Sequence, residues 1–304
     1  MSVDAVLIAG PTASGKSAAS LALAERLGGA IINADSMQVY TELRVLTARP
    51  SREDERRAPH LLYGHVSVSE RYSAGRYQDD AAHALEQARE RNLLPIFVGG
   101  TGLYFSVLTD GLSPVPAIPA EVRKAVRHRF ETLGRDAFYA DLARRDEATV
   151  TKLRPSDTQR LLRAADVLEA TGRALSTWQE MRGSSPLGTL RVKRFVISPS
   201  REILHERIAN RVNAMVAAGA LDEAAALAAL DPSLPAAKVL GVGQFAKHLA
   251  GEIGLAEAVE RVTVETRQYA KRQLTWFRQR MTDWAWLSDR ESSNLITQIA
   301  YYLS

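Results

Sequence analysis

Residues 5–20, Ala-Val-Leu-Ile-Ala-Gly-Pro-Thr-Ala-Ser-Gly-Lys-Ser-Ala-Ala-Ser, constrain the fold more than any other stretch. Val6 to Ala9 is a short apolar strand that breaks into a loop and resumes as an alanine-rich helix over 18–27. The loop is Gly10, Pro11, Thr12, Ala13, Ser14, Gly15, Lys16 and Ser17, which is the P-loop spacing. Its glycines let backbone N–H groups close round a phosphate, Lys16 reaches the outer phosphates, and Ser17 is placed to ligate Mg²⁺. The helix that follows aims its positive dipole end at the same point. A strand, this loop and a helix in that order predict a phosphate-binding site and leave open which phosphate compound occupies it.

The next strands have the same character. Residues 30–34 (Ala-Ile-Ile-Asn-Ala) lead into Asp35-Ser36-Met37-Gln38-Val39-Tyr40, and 93–98 (Leu-Leu-Pro-Ile-Phe-Val) lead into Gly99-Gly100-Thr101-Gly102-Leu103-Tyr104. Helical patterns over 18–27 and 75–92 separate them, and a fourth strand is expected at 194–197. Strands alternating with helices at this spacing predict an α/β fold of the P-loop NTPase-like kind, a parallel sheet flanked by helices. Its sites lie at the carboxyl ends of the strands, so the P-loop, 35–40 and 99–104 converge on one rim.

Three prolines in 113–119 mark a linker. Short charged helices from 120 to about 183 then predict an inserted all-α helical domain. The expected organisation is 1–115 as the first part of the core, 116–188 as the insertion and 189–304 as the second part of the core. That last part carries helices at 201–218 and 221–230, one long helix at 255–282 and a short tail. The 304 residues hold no cysteine, which excludes a disulfide framework, a thiolate metal site and a cysteine nucleophile. The six histidines show no metal-ligand spacing. The chain opens directly on a core strand, with no leader pattern, and no apolar run approaches the ~20 residues that span a bilayer. A cytoplasmic protein is therefore expected, with no membrane partner.

The cleavage apparatus of a kinase is missing. Proteins that transfer a γ-phosphate carry an acid after an apolar strand to hold Mg²⁺ or its water. The strand at 93–98 ends instead in Gly-Gly-Thr-Gly, and the acid on the rim is Asp35. As a lone aspartate it would read as a helix cap or an ion-pair partner; opposite a P-loop it reads as functional. The segment 266–282 holds Arg267, Lys271, Arg272, Arg278 and Arg280 with no acid. Ala270, Leu274, Phe277 and Met281 form its apolar face, and the cations occupy the rest with Gln268, Gln273 and Tyr269. Such a run is either a solvated face or a phosphate-backbone surface. The insertion adds Arg123 and the stretch Gln159-Arg160-Leu161-Leu162-Arg163, whose arginine and glutamine suit phosphate contact and base-edge reading. The net charge of +4 is compatible with a nucleic-acid partner.

Taken in order, the P-loop, Asp-Ser-Met-Gln-Val-Tyr at 35–40, Leu-Thr-Ala-Arg-Pro at 46–50, Tyr-Ser-Ala-Gly-Arg-Tyr at 72–77, Gly-Gly-Thr-Gly-Leu-Tyr-Phe at 99–105, Asp-Thr-Gln-Arg-Leu-Leu-Arg at 157–163 and Lys-Arg-Gln-Leu-Thr-Trp-Phe-Arg at 271–278 closely resemble the tRNA dimethylallyltransferases. The likeness runs from about residue 3 to 287. It implies an enzyme that prenylates the adenosine 3′ to the anticodon of tRNA, with dimethylallyl diphosphate as donor. Residues 10–17 would cradle the diphosphate together with Mg²⁺ on Ser17, and Lys16 would stabilise the departing charge. Asp35 would be the general base for the exocyclic amine, with Thr101 as a further catalytic contact. Ser36, Met37 and Gln38 would line the adenine pocket. Thr101, Arg123, residues 159–163, Arg267, Lys271 and Arg272 would contact the anticodon stem-loop. The base would be flipped into the site. A monomer is the default expectation, since no residue pattern addresses the oligomeric state.

Two elements depart from the family pattern. Its Asp-Ile-Gly-Thr-Ala-Lys-Pro is Arg44-Val-Leu-Thr-Ala-Arg-Pro50 here, and its Gly-Tyr-Lys/Arg-Glu/Gln is Gly241-Val-Gly-Gln244. The residues leave three alternatives: an ATP-dependent small-molecule kinase, prenylation of free adenine nucleotides, and an RNA-binding module with a relic P-loop. The long basic helix and the insertion favour a macromolecular acceptor.

Overall fold

Five-residue apolar strands with no polar break are stable only when both faces are covered. β1 (Ala5–Ala9) is such a strand, and β2 (Gly29–Asn33), apolar up to its terminal Asn33, is likewise buried along its whole length. The computed structural model describes residues 3–181, 183–288 and 292–303, exclusive of the side chains at 292, 293, 300 and 303. Met1 and Ser2, expected to open the chain without a leader, and Arg182, within the stretch expected to be helical, lie outside this set.

The chain divides into two compact units, residues 1–109 with 186–304 and residues 110–185. In the first, β1 and β2 join β3 (His60–Leu61), β4 (Leu94–Gly99), β5 (Val192–Ile197) and β6 (Ala285–Leu287) in one parallel sheet of order β3-β2-β4-β1-β5-β6. β1 lies between β4, through Val6 opposite Ile96, and β5, through Ala5 opposite Val192. The chain leaves β1 towards β2 on one side, whereas β5 lies on the other, so the loop after β1 sits at a topological switch point. The helices of this unit are α1 (Lys16–Leu27), α2 (Arg52–Arg57), α3 (Ala74–Glu90), α4 (Gly102–Asp110), α9 (Arg201–Ala217), α10 (Ala220–Ala226), α11 (Val242–Leu249), α12 (Leu255–Arg280) and α13 (Ser292–Leu303). The other unit holds α5 (Ala120–Arg145), α6 (Glu147–Val150), α7 (Thr158–Thr171) and α8 (Leu175–Gln179). Its own core is Val126, Phe138, Leu142, Val150 and Leu161, with Phe130 packed edge-on to Phe138.

Several expectations shift. The helix after the P-loop starts at Lys16, two residues before the expected 18, because Gly15 at φ 93° turns the chain straight into the helix. The two connections of the helical unit run side by side, with Gly183 so close to Leu112 that a Cβ there would overlap its carbonyl. The unit therefore spans 110–185, against the expected 116–188. The short tail also holds more than expected: β6 extends the sheet and α13 seals α1 and β5 through Leu295 and Ile299. Strands of two and three residues such as β3 and β6 are too short to carry a pattern. Among the described residues no helix is long and apolar enough to cross a membrane.

Glycine is required where β4 ends. A Cβ on Gly99 would overlap the Ala34 carbonyl, which itself accepts from Thr101 N–H at 3.2 Å. Gly99→Ala should push apart the ends of β2 and β4 and lower the unfolding free energy by about 1–3 kcal/mol, the usual cost of overpacking. Urea titration of both proteins measures it, and an unchanged midpoint would mean that the strand ends have room.

Candidate active site

The loop after β1 folds as a phosphate nest. Ala13 at φ 62° and Gly15 at φ 93° are left-handed, a backbone pattern that gathers N–H groups into an anion-binding concavity. Gly15 offers α1 no side-chain cap, so the first-turn N–H groups stay available to a ligand. The Ser14 hydroxyl is buried without a hydrogen-bond partner, a second vacancy for an acceptor oxygen. Lys16 folds back under the loop and donates from Nζ to Pro11 O at 3.2 Å. Burial pushes its ammonium down to about 8; the Asp35 carboxylate opposes that shift and Arg211 adds to it. Ser17 is exposed at the mouth.

Two arginines from α9 complete the cradle. A cavity of about 260 Å³ lies between residues 13–18 and Arg207 and Arg211. Arg207 donates from Nη1 to Ser14 O at 3.1 Å. Burial lowers the Arg211 guanidinium and Asp35 opposes it, so these two groups are electrostatic neighbours. Neither arginine stands out in the sequence. Their four-residue spacing on the helix that follows β5, a strand ending at the same rim, is the signal that could have found them.

Asp35 is neither a helix cap nor a partner in a surface ion pair. It closes a local turn: its N–H donates to Asn33 Oδ1 at 2.8 Å, and its Oδ1 accepts from Met37 N–H at 3.0 Å. No described residue donates to Oδ2, which faces Gly100, where a Cβ would lie 3.2 Å from it. Thr101 sits beside it. The Thr101 hydroxyl accepts from Ser36 N–H at 2.9 Å and donates to the Ser36 hydroxyl at 3.2 Å. Gln38 spends Nε2 on Thr47 O and Ala48 O, both at 2.9 Å. Three tyrosines, Tyr63, Tyr104 and Tyr269, are raised by burial first and by the Asp35 charge second, so the carboxylate has neutral phenols around it. Next to Ser17 a second cavity of about 310 Å³, with Leu21, Ile31, Pro50 and Tyr63 in its walls, offers apolar surface close to the phosphate nest.

The long helix α12 corrects the sequence reading. Gln273, expected on the polar face, is 6% exposed and bridges two loops. It accepts from Thr12 N–H at 2.9 Å and donates to Gly100 O at 2.8 Å. Trp276 lies over Gly102, where a Cβ would overlap its ring. The buried face runs through Thr266, Ala270, Gln273 and Phe277, while Leu274, expected in the core, lines a surface groove. The basic run divides accordingly. Arg267, Lys271 and Arg278 face a groove of about 500 Å³ shared with Arg201 and His205 of α9, and no acid lines it. Arg272 lies over the Tyr269 ring at 5.8 Å.

In the helical unit, Leu161 is fully buried and holds α7 in place, so its side chain is not a surface contact as expected. Leu162 packs partly against the same core. Gln159, Arg160 and Arg163 are exposed, and Arg160 pairs with Asp157 at 3.4 Å. Arg123 is exposed too; with Arg163 and Arg127 it offsets the rise that burial gives Asp166.

Mg²⁺ fits this donor set. The ion keeps several waters and is held by one or two protein oxygens plus ligand phosphates, and the exposed Ser17 hydroxyl supplies one beside the nest. Among the described residues no cluster of three or more His, Asp or Glu competes for a metal.

The Lys16 shift gives a pH dependence with a definite sign. A bound polyanion stabilises the ammonium, so binding takes up a proton once the free lysine has begun to lose it near pH 8. Affinity for inorganic diphosphate should then weaken by up to about tenfold per pH unit above that value. Lys16→Arg stays charged and removes the effect. Calorimetric titration at pH 7 and 9 compares the two proteins, and equal pH slopes would refute the assignment.

With the geometry described, comparison with known proteins places the chain. The family model described as IPP transferase matches residues 38–280, and that described as isopentenyl transferase matches 3–70. A tRNA dimethylallyltransferase of Nitrobacter hamburgensis is 54% identical over 291 residues, covering 95% of this chain and 92% of the relative. One from Parvibaculum lavamentivorans is 50% identical, covering 98% and 95%. Among solved structures, a tRNA isopentenylpyrophosphate transferase of Bacillus halodurans is 30% identical with a TM-score of 0.67, covering 99% of this chain and 96% of its own. A eukaryotic dimethylallyltransferase captured acting on tRNA is 29% identical with a TM-score of 0.79, covering 94% and 74%. The chain belongs to the IPP transferase family, among relatives that are tRNA dimethylallyltransferases.

Proposed function

We propose that the chain is a tRNA-modifying prenyltransferase, which moves a dimethylallyl group from dimethylallyl diphosphate to N6 of the adenosine 3′ to the anticodon. The observation that carries the reading is the pairing, on one rim, of a phosphate nest with Asp35, with no acid after β4 to serve γ-phosphate chemistry. Family membership and the names of the relatives support the same reaction. The acceptor is the anticodon stem-loop of tRNA, the working unit is one chain, and the compartment is the cytoplasm, where tRNA is modified.

The residues divide the work. The nest formed by Gly10, Pro11, Thr12, Ala13, Ser14 and Gly15, with Lys16, Arg207 and Arg211, holds the diphosphate and meets the negative charge that grows as the carbon–oxygen bond breaks. Mg²⁺ on Ser17, when bound, adds positive charge to the leaving group. The adenine amine is a weak nucleophile because its lone pair is delocalised into the ring. Asp35 Oδ2 takes one N6 proton as nitrogen attacks the allylic carbon; N6-dimethylallyl adenosine and diphosphate leave. Ser36, Met37, Gln38 and Thr101 surround the base, which has been flipped from its stack. The neutral phenols of Tyr63, Tyr104 and Tyr269 give the allylic carbon an aromatic wall as it gains positive character. Outside the reacting centre, Arg123, Gln159, Arg160, Leu162 and Arg163 of the helical unit meet the RNA. Arg267, Lys271 and Arg272 do so from α12.

Incubating the protein with unmodified tRNA and dimethylallyl diphosphate should add one five-carbon unit to that adenosine, read by mass spectrometry of nuclease digests. Phosphate transfer from labelled ATP to a small acceptor would replace this reading with a kinase. Asp35→Asn keeps an acceptor for Met37 N–H but removes the base, so kcat should fall by about 10²–10⁴-fold while both KM values stay near wild type. Loss of tRNA affinity with kcat unchanged would remove Asp35 from catalysis.

The groove between α9 and α12 predicts a salt signature. Arg267 Nε is buried there without a partner. Burial, with Arg267 and Arg201 close by, lowers the His205 imidazole, as expected of a site that awaits an anion. Lys271→Ala combined with Arg278→Ala should weaken tRNA binding and reduce the slope of log affinity against log salt by about 0.7–0.9 per lost contact. An unaltered slope would make this face a solvated one.

A further inference from the structure

Three consecutive backbone N–H groups converge on one carboxylate that lies far away in sequence. Arg44 and Val45 donate to Glu223 Oε1 at 2.8 and 2.7 Å, and Leu46 donates to Oε2 at 2.9 Å. They open a single turn, closed from within by Ala48 N–H to Val45 O and Arg49 N–H to Arg44 O, both 2.9 Å, and by the Thr47 hydroxyl to Leu43 O at 2.6 Å. Like a helix start, such a turn leaves its first N–H groups without partners of its own. A carboxylate answers all three.

The far end of the turn faces the site. Ala48 reverses the chain at φ 46°, and the carbonyls of Thr47 and Ala48 accept both bonds from Gln38 Nε2. Thr47 O also meets Arg211 Nη2 at 3.5 Å. The turn thus lies between a side chain of the acceptor pocket and one of the diphosphate cradle. Gln38 is committed by it: with both amide hydrogens spent, what remains is Oε1, an acceptor. An acceptor matches the second hydrogen of an adenine amine and opposes the carbonyl that hypoxanthine carries at the same place.

We propose that Glu223 is a positioning residue for the transfer, which clamps the turn 44–48 and through it orients Gln38 towards the adenine amine and steadies Arg211 at the diphosphate. Glu223 touches neither substrate. The inference rests on the prenyl-transfer reading for the identity of both ligands.

The test uses the full chain with Glu223→Ala, Glu223→Gln, Gln38→Ala and the Glu223→Ala, Gln38→Ala pair. The probes are anticodon stem-loops carrying adenosine or inosine at the acceptor position, measured for binding, and the adenosine form measured for transfer. Glu223→Ala should raise the KM for RNA and shrink the preference for adenosine over inosine, each by about tenfold, the worth of one oriented hydrogen bond. Glu223→Gln, which keeps one carbonyl acceptor, should fall between. The pair should bind no worse than Gln38→Ala alone. A clamp that serves stability only would lower the melting temperature and leave the preference intact, and that result overturns the proposal, as does multiplication of the two losses in the pair. Should Glu223→Ala fail to fold, Glu223→Gln carries the same comparison. A wild-type protein that transfers no prenyl group onto RNA would remove the functional reading, while the adenosine preference still decides the clamp.

Discussion

The site depends on one amide. Gln273 accepts from Thr12 N–H in the phosphate loop and donates to Gly100 O in the loop after β4. No charged side chain could replace it, because a carboxylate cannot donate and an ammonium or guanidinium cannot accept. The two loops it joins carry the phosphate nest and the wall opposite Asp35, so the distance between the nest and the Asp35 carboxylate is set through this residue. Gly100 and Gly102 follow from it: the first admits the amide and the second admits the Trp276 ring, one turn further along α12. A buried amide left half-paired costs about 1–3 kcal/mol, so Gln273 adds a directional restraint that fixes the register of the helix against the loops.

Charge is arranged round that frame with a bias. Lys16, Arg207 and Arg211 gather at the cradle, and the Asp35 carboxylate opposes the effect of burial on Lys16 and Arg211. Lys16 bears the cost of burial as a lowered pKa, which the Asp35 carboxylate partly offsets. Cations gathered at a nest of backbone N–H groups favour an anionic ligand. An ATP-cleaving site would need in addition a carboxylate after β4, where the chain places Gly99, Gly100 and Thr101. The tyrosines round Asp35 add no charge, since burial keeps their phenols protonated.

Much of this was legible in the sequence, and the failures have physical causes. The P-loop, Asp35 and the glycine-rich loop could be read because strand–loop–helix punctuation and strand-end position are local properties. The division of α12 could not. Spacing alone gave Ala270, Leu274, Phe277 and Met281 as the core face; the face buried in the fold passes through Gln273, because a polar side chain with two backbone partners can be buried as readily as an apolar one. Leu161 failed in the opposite sense: a motif drew attention to a residue whose task is packing. Arg207 and Arg211 act across the fold on a loop nearly two hundred residues earlier, and no local pattern announces that. The strands β3 and β6 arise from pairing with neighbours already in place.

The departure from the family pattern at 44–50 falls where backbone groups make the contacts. At 44–50 the turn is held by the N–H groups of Arg44, Val45 and Leu46 and works through the carbonyls of Thr47 and Ala48. A leucine in place of the family's glycine leaves all five groups where they are. Its side chain turns inward, 6% exposed, and one methyl lies 3.1 Å from where a Cβ on Gly241 would stand. The two departing elements therefore meet: Leu46 fills space beside Gly241, which at φ 94° is in a conformation that glycine adopts without strain. Arg49, in place of a lysine, donates to Tyr40 O and Thr41 O at 2.8 and 3.0 Å and so binds the turn to the segment that follows Asp35. Substitutions such as Leu46 are accommodated on this turn because the donors that hold it to Glu223 and the acceptors it offers Gln38 belong to the main chain.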